Sequence, residues 1–282
     1  MGIFIQIEYN RTVENTHNFP KTDRISVITA SILVSYALLP FVQISSRQLA
    51  FTVFGILISL NFNFYNLISL ITAALAAAGT DWMLREHPSR GDYSTIPHLI
   101  LPALTAGAIG IPLGFLTVSP TWWIILGLGS ILVLVVLVGE YVSIDKHSQY
   151  FPIALMVLSA VSFGLFLIIV IAFRAANLRL YLTAAILPIV YAFFSLRVLQ
   201  LRLGGSWPIK WTAVITLAIV QFTIGLYYWP LSPVRFGLLL LGPAYALIGI
   251  ASSLEESSAL SDIYMEPLIM LGIIWLLAIF LG

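Results

Sequence analysis

The sequence predicts an all-α fold: a polytopic integral membrane helical bundle of about nine transmembrane helices, bounded by about eight and ten, with no soluble domain. Three observations carry this expectation. Sixty per cent of the 282 residues are hydrophobic and only 9% are charged, whereas roughly a quarter are charged in ordinary soluble domains. So few charges would not cover a water-facing surface. The apolar residues also come in blocks. A bilayer core about 30 Å thick is crossed by about 20 helical residues, and the ten-residue alternating segments of a membrane barrel are missing. Finally, Trp82, Trp122, Trp123, Trp207, Trp211 and Trp229 stand at or beside block ends, where amphipathic rings prefer the headgroup level; Trp275 sits inside a block.

In chain order, residues 1–24 form a polar leading segment expected on the cytoplasmic side. The alternation of Ile3, Ile5, Ile7 and Tyr9 within it hints at a short extended piece, with a frayed terminus the simpler reading. No small-residue cleavage pattern follows the run 25–43, so it is expected to stay as the first span. Residues 48–80 fit less neatly, because one straight helix of that length would reach about 50 Å. Seven further runs, at 97–118, 121–143, 149–173, 178–201, 211–229, 234–254 and 264–282, each match one crossing. Residues 25–282 therefore read as a single transmembrane domain with short connections, the longest running from Thr80 to Pro97.

Charge bias chooses between one and two crossings for 48–80. With one, Arg11, Lys21, Arg24, Arg85, Arg90, Lys146, Arg197, Arg202 and Lys210 gather on the amino-terminal side, against Arg47, Arg174, Arg179 and Arg235 on the other. With two crossings the bias vanishes. Basic residues concentrate in cytoplasmic loops, so the expectation is a multi-pass cell-membrane protein with nine spans and a cytoplasmic amino terminus. Residues 48–61 are then a re-entrant or interfacial piece, or part of one long tilted helix.

The densest polar stretch is Asp81-Trp82-Met83-Leu84-Arg85-Glu86-His87-Pro88-Ser89-Arg90-Gly91-Asp92. Asp81 and Arg85 are one helical turn apart and suited to pair. Asp81, Arg85, His87 and Asp92 are the candidate catalytic residues of a headgroup-level site. Asp81, Glu86, His87, Asp92 and His98 have the chemistry to gather at a divalent ion or, with Arg85 and Arg90, around a lipid phosphate. A solvated loop with a surface ion pair is the simpler reading, and no metal or cofactor is expected. Any site here needs a partner loop, for which Glu140, Asp145 and His147 are the candidates on the same side. His87 and Asp92 share the H-x-x-x-x-D spacing of glycerolipid acyltransferases, but the soluble α/β domain that carries it there is missing.

At membrane depth, Asn63, Asn66, Tyr191 and Gln221 are the candidates to line a substrate path, although such groups more often bond across helices as glue. Glu140, Arg197 and Arg235 lie near span ends, where they are expected to snorkel. Pro102 and Pro112 interrupt the run 97–118, while Gly110-x-x-x-Gly114 and Ser69/Ala73/Ala77 read as close-packing faces.

Several classes are excluded. The chain has no cysteine and a net charge of +1, which removes disulfides, thiolate metal sites and any bulk electrostatic case for nucleic acid. No histidine lies deep in a span, and neither H-E-x-x-H nor a Walker loop is present. Three readings remain. The first is a small-molecule or lipid permease, favoured by span number, thin loops and interrupted spans. The others are an enzyme acting on a lipid headgroup at the 80–98 loop, and an accessory subunit binding another membrane protein or a second copy of itself. Membrane lipids are partners in all three, and enzymatic activity is the less expected outcome.

Overall fold

A computed structural model of the chain describes residues 20–42, 47–53, 56–62, 64–88, 94–204, 206–255 and 260–281. Among these, the helices are α1 (Thr22–Ala37), α2 (Phe64–Leu84), α3 (Ile96–Phe115), α4 (Pro120–Val142), α5 (Phe151–Ala175), α6 (Leu180–Arg202), α7 (Ile209–Tyr227), α8 (Pro233–Glu255) and α9 (Leu260–Phe280). Eight are long and apolar enough to cross a membrane, the first counted through the short 3-10 turn Leu39–Phe41; the apolar part of α9, Tyr264–Phe280, is a shorter ninth. The expected polytopic helical bundle is what the chain forms.

The segment 48–80 resolves differently from a single tilted helix. Arg47–Val53 (β1) and Ile56–Phe62 (β2) pair antiparallel, and the helix begins only at Phe64. Val53 pairs with Ile56 at one end of the ladder and Arg47 with Phe62 at the other. Thr52, Val53, Ile56 and Ile58 are β-branched and prefer the extended chain. The N-terminal alternation at residues 3–9 lies outside the described residues.

The helices fall into two compact units, Met1–Ala154 and Leu155–Gly282. In the first, α2 packs on α3, α3 on α4, and α1 on both α2 and α4. Ile32, Tyr36, Ala76, Leu84, Leu113, Trp122, Val133 and Leu137 form its core. Small residues set the α2–α3 spacing: a Cβ on Gly107 would stand 3.4 Å from the Ala73 Cβ, and one on Gly110 would overlap the Ser69 hydroxyl. Tyr36 bridges this seam, donating to the Ala106 carbonyl at 2.7 Å and accepting from Thr72 Oγ1 at 3.0 Å. Helix α4 starts with Ser119 as N-cap, its hydroxyl accepting from the Trp122 N–H, and with Pro120 in the first turn.

In the second unit, α6 packs on α7 and α8, and α8 on α7 and α9. Phe166, Val170, Tyr191, Phe194, Val198, Ile219, Phe236 and Leu240 fill its core. A small cavity here is lined by Phe173, Arg174, Asn177, Thr183, Tyr227 and Phe236. Arg174 closes the end of α7, donating 2.8 Å bonds to the Tyr227 and Trp229 carbonyls. A cation bonded to terminal carbonyls satisfies groups that the helix itself leaves unpaired.

Two expectations need correction. Trp122, in the first turn of α4, is fully buried and donates to the Leu113 carbonyl at 3.2 Å, so its ring packs inside the protein rather than facing lipid. Glu140 is wholly buried and Arg197 is 2% exposed. Neither snorkels, because each has a polar partner inside the protein: His98 for Glu140 and Gln200 for Arg197.

Candidate functional site

One end of the first unit collects the start of α1, the end of α2, the start of α3 and the end of α4. Antiparallel packing of successive helices brings these ends together, so residues distant in sequence become neighbours. At the α1–α2 side, Glu86 pairs with Arg24 and, at 3.4 Å, with Lys21. Arg24 also donates to the Trp82 carbonyl at 2.8 Å and lies 4.3 Å from the centre of the indole ring. Such a cation over an aromatic face adds about 0.5–1 kcal/mol at an exposed position.

Asp81 forms the second knot. Arg85 binds one carboxylate oxygen at 2.6 and 2.8 Å, while Thr95 donates to the other at 2.7 Å, tying the end of α2 to the start of α3. The i, i+4 pair expected from the sequence is formed. His87 is buried, its ring centre 4.4 Å from that of Tyr141 on α4.

The third knot is the deepest. His98 Nδ1 stands 2.9 Å from Glu140 Oε2; the carboxylate side chain is 0% exposed and the imidazole 20%. Ser143 donates to the Glu140 carbonyl at 2.9 Å and lies 3.4 Å from His98 Nδ1. A buried carboxylate costs several kcal/mol in desolvation unless it is paired and hydrogen-bonded. This carboxylate takes its partner from a histidine whose ring reaches the surface. The contact of Nδ1 with Glu140 holds the plane of the imidazole ring. A carboxylate–imidazole pair of this kind orients a general base for a hydroxyl proton.

Of the candidate catalytic residues, Asp81, Arg85 and His87 thus lie at this end, and Asp92 lies outside the described residues. The proposed partner loop contributes through Glu140. Asp145 instead accepts the His147 N–H at 3.0 Å within its own turn. No three metal-ligating side chains gather among the described residues, where Asp81 and Glu86 pair with cations instead. Sequence reading missed Lys21, Arg24, Thr95, Tyr141 and Ser143. Arg24, spaced one turn from Lys21 in a helix that faces α2, was the one detectable signal.

Of the substrate-path candidates, Asn66 falls in the first unit and Tyr191 and Gln221 in the second. Asn66 is exposed on the first unit and Gln221 on the second. Tyr191 is fully buried in the second, 3.0 Å from Thr223 Oγ1, as interhelical glue would be. Asn63 lies outside the described residues.

The chain matches the family model described as "Protein of unknown function (DUF5656)" over residues 44–281. No curated protein and no solved structure matches it.

Proposed function

The chain belongs to the DUF5656 family, and on that footing we propose that it is a membrane protein handling a polar-headed lipid at the headgroup level. The carrying observation is the His98–Glu140 pair, a wholly buried carboxylate orienting a histidine that reaches the surface. A carboxylate wholly buried inside the protein is costly unless paired, and such buried ionisable groups tend to mark function. In this reading His98 exchanges a proton with a headgroup hydroxyl, Glu140 orients it, and Lys21, Arg24 and Arg85 attract the anionic part of the head. The amino terminus and this polar end are cytoplasmic, consistent with the charge bias.

A permease is the second reading, favoured by prolines inside four helices: Pro102 and Pro112 in α3, Pro188 in α6, Pro243 in α8 and Pro267 in α9. Interrupted spans often border transport sites.

Purification in native lipid discs followed by mass spectrometry tests the site. The wild type should retain one polar-headed lipid class above its share of the membrane. His98→Gln should lower that enrichment roughly tenfold or more, the effect of losing a charge-assisted hydrogen bond of about 1.5–3 kcal/mol. His147→Gln, on an exposed residue, should leave it unchanged. Bulk lipid composition in the wild type would overturn the proposal, and a stoichiometric protein partner would favour the accessory-subunit reading. Placed on one leaflet of proteoliposomes with the protein, the retained molecule is chemically altered by an enzyme and moved intact by a permease.

A further inference from the structure

The β1–β2 hairpin carries an inference independent of the polar site. Its register pairs Leu49 with Leu60, Phe51 with Ile58 and Val53 with Ile56; between these fall Gln48 with Asn61, Ala50 with Ser59 and Thr52 with Leu57. Opposed residues of an antiparallel ladder share a face, and neighbours along a strand lie on opposite faces. One face therefore takes positions 49, 51, 53, 56, 58 and 60, all large apolar residue types, with Arg47 and Phe62 at its base. The other takes positions 48, 50, 52, 57, 59 and 61, where Leu57 is the one large apolar type.

Two constraints say where such an element can lie. Among the described residues the sheet has two strands, so within it each strand has an outer edge that no other described strand pairs. In hydrocarbon each unsatisfied group costs several kcal/mol, which keeps open edges out of the membrane core. A continuous apolar face, conversely, is not left in water without a partner. Connectivity supplies the partner. The hairpin begins shortly after the turn Leu39–Phe41 that ends the first span, and it ends just before α2 begins the next. Both of its ends are thus tethered to the same bilayer surface.

We propose that β1–β2 is an interfacial membrane anchor, lying on the lipid monolayer with the 49/51/53/56/58/60 face at the headgroup–acyl boundary and the opposite face in water. Its length of seven pairs gives a platform of about 23 Å at 3.3 Å per residue. The open edges reach water, and the apolar face displaces it from the acyl boundary.

The chain contains no cysteine, so single cysteines can be introduced without altering the background. Spin labels at positions 48–53 and 56–61 of the full chain, in discs of phosphatidylcholine and phosphatidylglycerol, are read by power saturation with oxygen and a water-soluble nickel chelate. The expected result is a two-residue period. Oxygen should dominate for Leu49→Cys, Phe51→Cys, Val53→Cys, Ile56→Cys, Ile58→Cys and Leu60→Cys, and nickel for the alternate positions. Three outcomes overturn the proposal: nickel dominant throughout, as for an aqueous hairpin; both reagents excluded from the apolar positions, as for a face covered by protein; or a 3.6-residue period, as for a helix.

Discussion

Gly110 sets how closely α3 approaches α2. A Cβ there would stand 1.8 Å from Ser69 Oγ and 3.2 Å from the Tyr36 hydroxyl, so the whole Tyr36–Thr72–Ala106 bridge depends on its absence. Gly110→Ala should destabilise the first unit by about 1–3 kcal/mol, the range for forced overpacking, as measured by unfolding in mixed micelles. Adding Ser69→Ala removes the clashing hydroxyl and should recover part of the loss; an undiminished loss would place the strain elsewhere. This seam was legible in the sequence, because small residues at four-residue spacing mark one helix face. The Asp81–Arg85 pair was legible for the same reason, one helical turn separating its members. The His98–Glu140 pair was not: 42 residues separate the two, and no local pattern says which loop ends meet. Burial of Glu140 was also hidden, since a carboxylate near a span end is ordinarily free to reach water.

Among elements, the eight described helices other than α2 lie within a few residues of the apolar runs that predict them, because helix length in a membrane is imposed by bilayer thickness. The hairpin was harder to see. Its period-two faces were present in the residues from Leu49 to Leu60, but they adjoin the apolar start of α2, and the combined stretch reads as one hydrophobic block. Docking of α9 on α8 rests on two close approaches of another kind. A Cβ on Gly242 would stand 3.0 Å from the Trp275 ring, and one on Gly249 would stand 2.9 Å from the Pro267 ring. Both rings are rigid, so neither neighbour yields easily. Gly242→Val should loosen α9 and raise amide hydrogen exchange along Tyr264–Phe280. Gly272→Val is the control, since nothing lies within 4 Å of a Cβ at Gly272. Equal exchange in the two variants would mean that α9 is held by something other than this contact.

For the whole molecule, eight described helices are long and apolar enough to span and a ninth is shorter; the central proposal is that all nine cross, with the polar ends of α1 to α4 on the cytoplasmic surface. Helical class and span number follow from composition and run length; the sidedness rests on nine of the thirteen basic residues gathering on the amino-terminal side. Each unit also buries an ionisable group, Glu140 in the first and Arg197 in the second, which composition alone does not reveal. The most direct test is labelling of single cysteines by a membrane-impermeant maleimide, applied to intact cells and to inverted vesicles. Ser94→Cys and His147→Cys should label only in inverted vesicles, and Val42→Cys, Asn177→Cys and Tyr228→Cys only in intact cells. Residues 94 and 147 labelling from opposite sides, or any of the five labelling from both, would contradict it.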